Sequence, residues 1–193
     1  MSHFIYKTEA IILSEMPSGE DSRLYFLLTK DLGLVLAEAR GVRLLKSKLR
    51  YNLYLFASVQ TELVRGKSIW RVVNVYPNGS GTTFVSSNMN IFARLSQLVR
   101  RLVHGEEENR KLFDEIFYAR NLLLKSKLSK EEAIGLELAV VARILFSLGY
   151  FGGKEKYDQI LNNELNTRIV PASPSFRREL ALNINEALKE SQL

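Results

Sequence analysis

The apolar residues of this 193-residue chain change their spacing once, and that change divides it. Up to Tyr76 they alternate, or run in short blocks between turn clusters; from about residue 88 they return every three or four positions. A period of two puts successive side chains on opposite faces of a strand, and a period of 3.6 lines them along one stripe of a helix. The chain is therefore expected to build a β unit first and a helical unit second, an α+β arrangement. Hydrophobic residues make up 46% of the sequence and charged residues 25%, which supplies enough apolar material for both cores.

Five strands are expected in residues 1–79. Tyr6 to Leu13 is the first, and Pro17-Ser18-Gly19-Glu20-Asp21 follows as a turn cluster. Arg23 to Thr29 is the second, closed into a hairpin by Lys30-Asp31-Leu32-Gly33 onto Leu34 to Ala39. Leu55 to Val64 is the fourth, and Arg65-Gly66-Lys67-Ser68 turns into Ile69 to Tyr76. Five short strands in so few residues suggest a barrel, because closure removes exposed sheet edges. An OB-fold fits this pattern, and that fold binds single strands across one face and its flanking loops.

The connection between the third and fourth strands is the densest charge feature. Arg40, Arg43, Lys46, Lys48 and Arg50 fall within eleven residues that hold no acid, and Tyr51 and Tyr54 follow. With a net charge of +6 and a pI near 9.5, the chain as a whole leans toward polyanionic partners. Cations in a row displace counterions from phosphates, and aromatic rings stack on bases. Tyr25, Tyr51, Tyr54, Phe56 and Trp70 are the candidate platforms, although an aromatic in a small barrel more often fills the core. Tyr51 is the favoured one, since it follows the cations directly.

Asn78-Gly79-Ser80-Gly81-Thr82-Thr83 breaks the composition, so domains are expected at 1–79 and 88–193 with a linker over 80–87. Phe92, Leu95, Val99 and Leu102 share one helical face, with Arg94, Arg100 and Arg101 away from it and Gly105 as the stop. Leu112, Phe113, Ile116, Phe117 and Leu123 line a second helix, with Glu106-Glu107-Glu108 read as a cap at its start and not a metal site. Ser129-Lys130-Glu131-Glu132 has capping-box spacing and opens a helix from Glu131 to Leu148 that is apolar nearly all round, the expected axis of its domain. Gly149 ends it. Glu155 to Leu161 is expected as a short helix, and Ser173-Pro174 as the start of a terminal amphipathic one through Leu188. Arg168, Arg177 and Arg178 form a weaker basic patch, read as a solvated helix end.

Several functions are excluded or unsupported. There is no cysteine, so disulfides, thiolate metal sites and a cysteine nucleophile cannot occur. His3 and His104 lack the spacing of a zinc pair, and Asp21, Asp31, Asp114 and Asp158 are scattered. Ser47 has no nearby histidine to activate it. The glycines around Tyr150-Phe151-Gly152-Gly153 lack the pattern of a phosphate loop. No catalytic site, metal or cofactor is expected. No apolar run has signal-peptide or membrane-spanning length, and the reading is a soluble intracellular protein.

An ordered series of blocks resembles the bacterial recombination-repair protein family RecO. It runs through Tyr6-Lys7-Thr8-Glu9-Ala10-Ile11-Ile12-Leu13, Gly19-Glu20-Asp21-Ser22-Arg23-Leu24, Leu28-Thr29-Lys30-Asp31-Leu32-Gly33, Ala39-Arg40-Gly41-Val42-Arg43, Lys46-Ser47-Lys48-Leu49-Arg50 and Leu63-Val64-Arg65-Gly66, then Trp70. Leu136-Glu137, Arg143-Ile144-Leu145 and Leu148-Gly149-Tyr150 are similar in the helical part. The resemblance implies an N-terminal OB-fold and a C-terminal helical domain. It implies binding to single- and double-stranded DNA, strand annealing, and cytoplasmic, nucleoid-associated work with RecR and the C-terminal tail of single-strand-binding protein. Arg23, Arg40, Arg43, Lys46, Lys48 and Arg50 fall where the family places DNA-facing cations. A groove beside the Glu131–Leu148 helix, rimmed by Arg94, Arg101 or Arg143, is the expected tail site. The chain departs from many family members in having no cysteines, and hence no four-cysteine zinc site, over Gly152 to Pro171, and it is short. Two rival readings are an interaction adaptor whose barrel no longer binds DNA and an RNA-binding OB module.

Overall fold

The computed structural model describes residues 4–78, 84, 86–125, 127–152, 155–165 and 173–190. Most of the expected linker over 80–87 lies outside them, as do Gly153 and Arg168. The chain forms two compact units, one of Met1–Thr82 with Val103–Phe113 and one of Thr83–Leu102 with Asp114–Leu193. Val103–Phe113, placed by sequence within the helical half, thus packs with the strands.

The first unit is a closed five-stranded barrel. Its strands are β1 (Ile5–Ser18), β2 (Ser22–Thr29), β3 (Gly33–Ala39), β4 (Ser58–Arg65) and β5 (Trp70–Pro77), in the order β1-β2-β3-β5-β4. All pairs are antiparallel except β3 with β5, where Ala37 faces Trp70 and Glu38 faces Arg71. This is the OB arrangement. Long β1 serves two partners: Ile5 to Ile11 pairs with β4, and Ala10 to Ser18 with β2, with a register shift between Ile12 and Ser14. A bulge there bends the strand, as closure requires. Ala10, Ile12, Tyr25, Leu27, Val35, Ala37, Leu63 and Trp70 fill the barrel core. Ile11, Leu13 and Leu28 are buried as well, which is why Ala10-Ile11-Ile12-Leu13 reads as a continuous apolar run and not an alternation.

Two boundaries differ from those expected. Pro17 and Ser18 belong to β1, pairing with Arg23 and Ser22, so the turn shrinks to Gly19-Glu20-Asp21. Leu55-Phe56-Ala57 is not strand. Phe56 adopts φ 66°, a left-handed conformation that costs a bulky residue about 1–3 kcal/mol. The strain is compensated by burial of its ring and by backbone bonds, Phe56 N–H to Ile12 O (2.9 Å) and Ile12 N–H to Ala57 O (3.0 Å), which pin the chain to β1.

The β2–β3 turn is fixed from several sides. Thr8 Oγ1 donates to Asp31 (2.8 Å), Arg110 Nη2 donates to the other Asp31 oxygen (3.1 Å), and Lys30 Nζ reaches Glu9 (3.0 Å). Gly33 turns at φ +70°, and a Cβ there would lie 2.2 Å from the Glu107 carbonyl oxygen. Only glycine allows Val103–Phe113 to approach this closely.

The second unit holds α1 (Ser86–Leu102), α2 (Arg110–Lys125, whose first turn lies in the barrel unit), α3 (Lys130–Ser147), α4 (Asp158–Asn162) and α5 (Pro174–Glu190). α3 packs against α1, α4 and α5 and is the expected axis. Its capping box forms, with Ser129 and Glu132 exchanging hydrogen bonds of 3.2 and 2.8 Å. Gly149 at φ +80° lets its own N–H reach Phe146 O and lets Tyr150 N–H reach Leu145 O, closing the helix. The acids before α2 are not its cap. Asn109 accepts from Leu112 N–H (2.9 Å), while Glu106 pairs with Arg65 and Glu108 with Arg110.

Candidate nucleic-acid interface

The basic stretch after β3 folds as a chain of tight turns and one 3-10 turn, Leu49–Tyr51. Leu44 N–H bonds Gly41 O, Ser47 N–H bonds Leu44 O, and Asn52 and Leu53 both close onto Leu49 O. Three ties hold it to the barrel. Arg43 N–H bonds Asp21 O (3.0 Å), Asn52 Nδ2 bonds Val75 O (3.2 Å), and the side chains of Val42 and Leu53 enter the core. Val42 and Leu53 thus anchor the loop, and its cations point out.

All five loop cations are exposed. Arg40 pairs with Glu38 at 2.8 Å. Arg43, Lys46, Lys48 and Arg50 have no ion pair among the described residues. Around them stand Leu45 at 85% exposure and Tyr51 at 71%, with Leu44, Tyr54 and Leu55 about two-fifths exposed. The Arg50 guanidinium lies 5.8 Å from the centre of the Tyr51 ring. Exposed rings beside unpaired cations can contact bases and phosphates together.

The other candidate platforms divide cleanly. Tyr54 joins Tyr51 on the surface. Tyr25, Phe56 and Trp70 are at most 5% exposed and serve the core instead. Trp70 packs edge-on against Tyr6 (5.1 Å) and lies under Arg65 (5.0 Å). The outcome follows strand parity, since Tyr25 and Trp70 occupy inward positions of β2 and β5.

Two cationic hollows flank the loop. Arg23, Tyr25, Val42, Arg43, Arg50 and Leu53 surround one of about 290 Å³. Arg23 is paired there with Glu15 across the β1–β2 ladder. Burial pushes the Tyr25 hydroxyl up to about 12, with Glu15 adding to the rise and Arg23 opposing it. The phenol is therefore a neutral donor at any physiological pH. The second hollow, about 690 Å³, lies at the short parallel seam of β3 and β5, where Arg40, Lys67 and Arg71 stand beside Trp70. Sequence reading missed both, because their residues are dispersed; the clue available was the cations of the Arg65-Gly66-Lys67-Ser68 turn and Arg71.

In the helical unit the three expected rim residues behave differently. Arg94 forms a bidentate pair with Glu137 (2.5 and 2.6 Å), which raises its pKa through those hydrogen bonds. Arg101 is exposed. Arg143 is 8% exposed and does not rim a surface groove. It donates to Glu115 (2.7 Å), Ile160 O (3.1 Å) and Asn163 O (2.7 Å). Arg177 bonds the Glu131 carbonyl (3.1 Å), leaving Arg178 exposed. Among the described residues no cluster of His, Asp or Glu could hold a metal ion, and no helix is long and apolar enough to cross a membrane.

Fold and loop together define an OB-type barrel joined to a helical unit, with four exposed cations that have no ion pair among the described residues on one barrel connection. Residues 1–76 match the family model described as Recombination protein O N terminal. The chain is 40% identical over 90 residues to the DNA repair protein RecO of Dehalococcoides mccartyi strain 195, a match covering 47% of this chain and 33% of that protein. It is 38% identical over 86 residues to the RecO of strain CBDB1, covering 45% and 31%. By these matches the barrel half is similar to the N-terminal domain of RecO proteins. The matched part spans about a third of the length of these relatives.

Proposed function

We propose that this chain is a non-enzymatic DNA-binding mediator of recombinational repair that anneals complementary strands, working with RecR and the C-terminal tail of single-strand-binding protein. The observation that carries the DNA part is the anchored loop with four exposed, unpaired cations and Tyr51 beside them. A loop whose backbone is tied to the barrel loses less conformational entropy on binding, and its cations release counterions as they neutralise phosphates. Arg23, Arg40, Arg43, Lys46, Lys48, Arg50 and Tyr51 make up the proposed DNA surface. Annealing needs a place for a second strand, and the seam hollow with Lys67 and Arg71, joined to the loop by Arg40, supplies a second cationic surface on the same barrel. In the helical unit, exposed Arg101 is the cation of the three left unengaged for an acidic tail.

The test is the annealing rate of two complementary oligonucleotides with and without the protein. Acceleration that is lost in Lys46→Ala, Lys48→Ala, Arg50→Ala supports the reading. An unaccelerated rate, with intact folding shown by circular dichroism, refutes annealing. Tail-peptide binding without salt-sensitive DNA binding would favour an adaptor, and preference for RNA of the same sequence would favour an RNA module.

A further inference from the structure

The smaller hollow differs from the rest of the basic surface in its charge. It is an open hollow of about 290 Å³. Val42 and Leu53, the two apolar anchors of the loop, wall it, and Tyr25 forms its floor. Three guanidinium-bearing side chains, Arg23, Arg43 and Arg50, come together there from β2 and from both ends of the loop. Glu15 neutralises Arg23. Arg43 and Arg50 have no carboxylate among the described residues, so the pocket retains two positive charges. Tyr25 adds a neutral donor to the hollow. The residue is 1% exposed, yet its hydroxyl is not among the buried polar atoms that lack a partner, so it meets solvent in the hollow it lines and can donate there.

A ligand suited to this pocket is compact, accepts several hydrogen bonds and carries close to two negative charges. An internal phosphodiester carries one. A terminal phosphomonoester carries about 1.5 to 2 at neutral pH and presents three acceptor oxygens. We propose that the pocket of Arg23, Tyr25, Arg43 and Arg50 is a subsite for the terminal phosphate of a nucleic-acid strand, with Arg43 and Arg50 engaging the phosphate oxygens and the Tyr25 hydroxyl donating from the floor. This rests on the DNA-binding reading and adds to it: the loop would lie along the strand while the pocket registers where the strand ends.

The test uses the full chain and fluorescence anisotropy. Three oligonucleotides of one sequence are compared, carrying a 5′-phosphate, a 3′-phosphate or hydroxyls at both ends. One of the phosphorylated strands is expected to bind about tenfold tighter than the hydroxyl-ended one, the scale of one hydrogen bond to a charged group. Tyr25→Phe removes the hydroxyl and keeps the ring in the core, so the ratio of the two affinities should fall to near one. Thymidine 5′-monophosphate should abolish the preference in the wild type, and thymidine should not, which serves as the check should the variant misfold. Equal affinity for all three strands, with a normal salt dependence, overturns the strand-end subsite and leaves the DNA reading standing. No salt-dependent binding to any strand overturns both. Monophosphate binding as tight as that of the phosphorylated strand makes the ligand a free nucleotide and overturns the strand-end assignment.

Discussion

Glu115→Ala should be among the most damaging single substitutions in the helical unit. Glu115 and Arg143 are 6% and 8% exposed, and the guanidinium bonds both carboxylate oxygens as well as the carbonyls of Ile160 and Asn163. Removing the carboxylate strands a buried cation with two neutral acceptors, which costs about 3–5 kcal/mol. For a chain of this size that lowers the melting temperature by on the order of 10 °C. Pairing Glu115→Leu with Arg143→Met removes both charges and should recover most of the loss. Recovery should fall short of complete, since the Ile160 and Asn163 carbonyls lose their donor at about 1–3 kcal/mol. Urea denaturation followed by circular dichroism gives each free energy, and wild type, Glu115→Leu, Arg143→Met and the double variant form a double-mutant cycle. A single-mutant loss below about 1 kcal/mol, or strictly additive effects, would show that the pair is not the buried tie described.

Gly33→Ala should cost at least about 2 kcal/mol in the same assay, because φ +70° is unfavourable for alanine and its Cβ would overlap the Glu107 carbonyl. Ser129→Ala should cost about 1 kcal/mol by removing the α3 cap. Hydrogen bonds from the Ser129 backbone and side chain hold the Glu132 carboxyl below its ordinary range, so its stabilising effect is complete above the unfolded value of about 4.3 and fades as pH falls through the lower folded value. Glu132→Gln should flatten stability against pH in that acid range alone. Tyr25 has the opposite sign: its folded value is raised to about 12, so the stability it contributes is complete below about 10 and is lost as pH rises toward 12. Ultraviolet titration should show a late-ionising component that is missing in Tyr25→Phe.

Much of this architecture was legible in the sequence because it depends on local spacing. The five strands, the capping box at Ser129, the glycine stop at Gly149 and the apolar axis of α3 all rest on residues within a few positions of each other. The loop cations were legible for the same reason. What escaped depends on distant partners. Nothing near Arg143 in sequence announces Glu115, 28 residues earlier on another helix. Arg23 looks as available as Arg43 until the β1–β2 register brings Glu15 beside it. Phe56 reads as strand because its left-handed turn is fixed by β1, far upstream. Aromatic platforms and core aromatics have the same composition, and only the closed barrel separates Tyr51 from Tyr25.

The central claim, that the loop after β3 is the DNA surface, is tested most directly by the salt dependence of binding to a single-stranded oligonucleotide. Four unpaired cations on one strand give a log–log slope of about −0.7 × 4, or roughly −2.8. Lys46→Ala, Lys48→Ala, Arg50→Ala should reduce that slope by about 2 and leave the fold unchanged. Equal slopes for the two proteins would place the DNA contacts elsewhere and contradict the account.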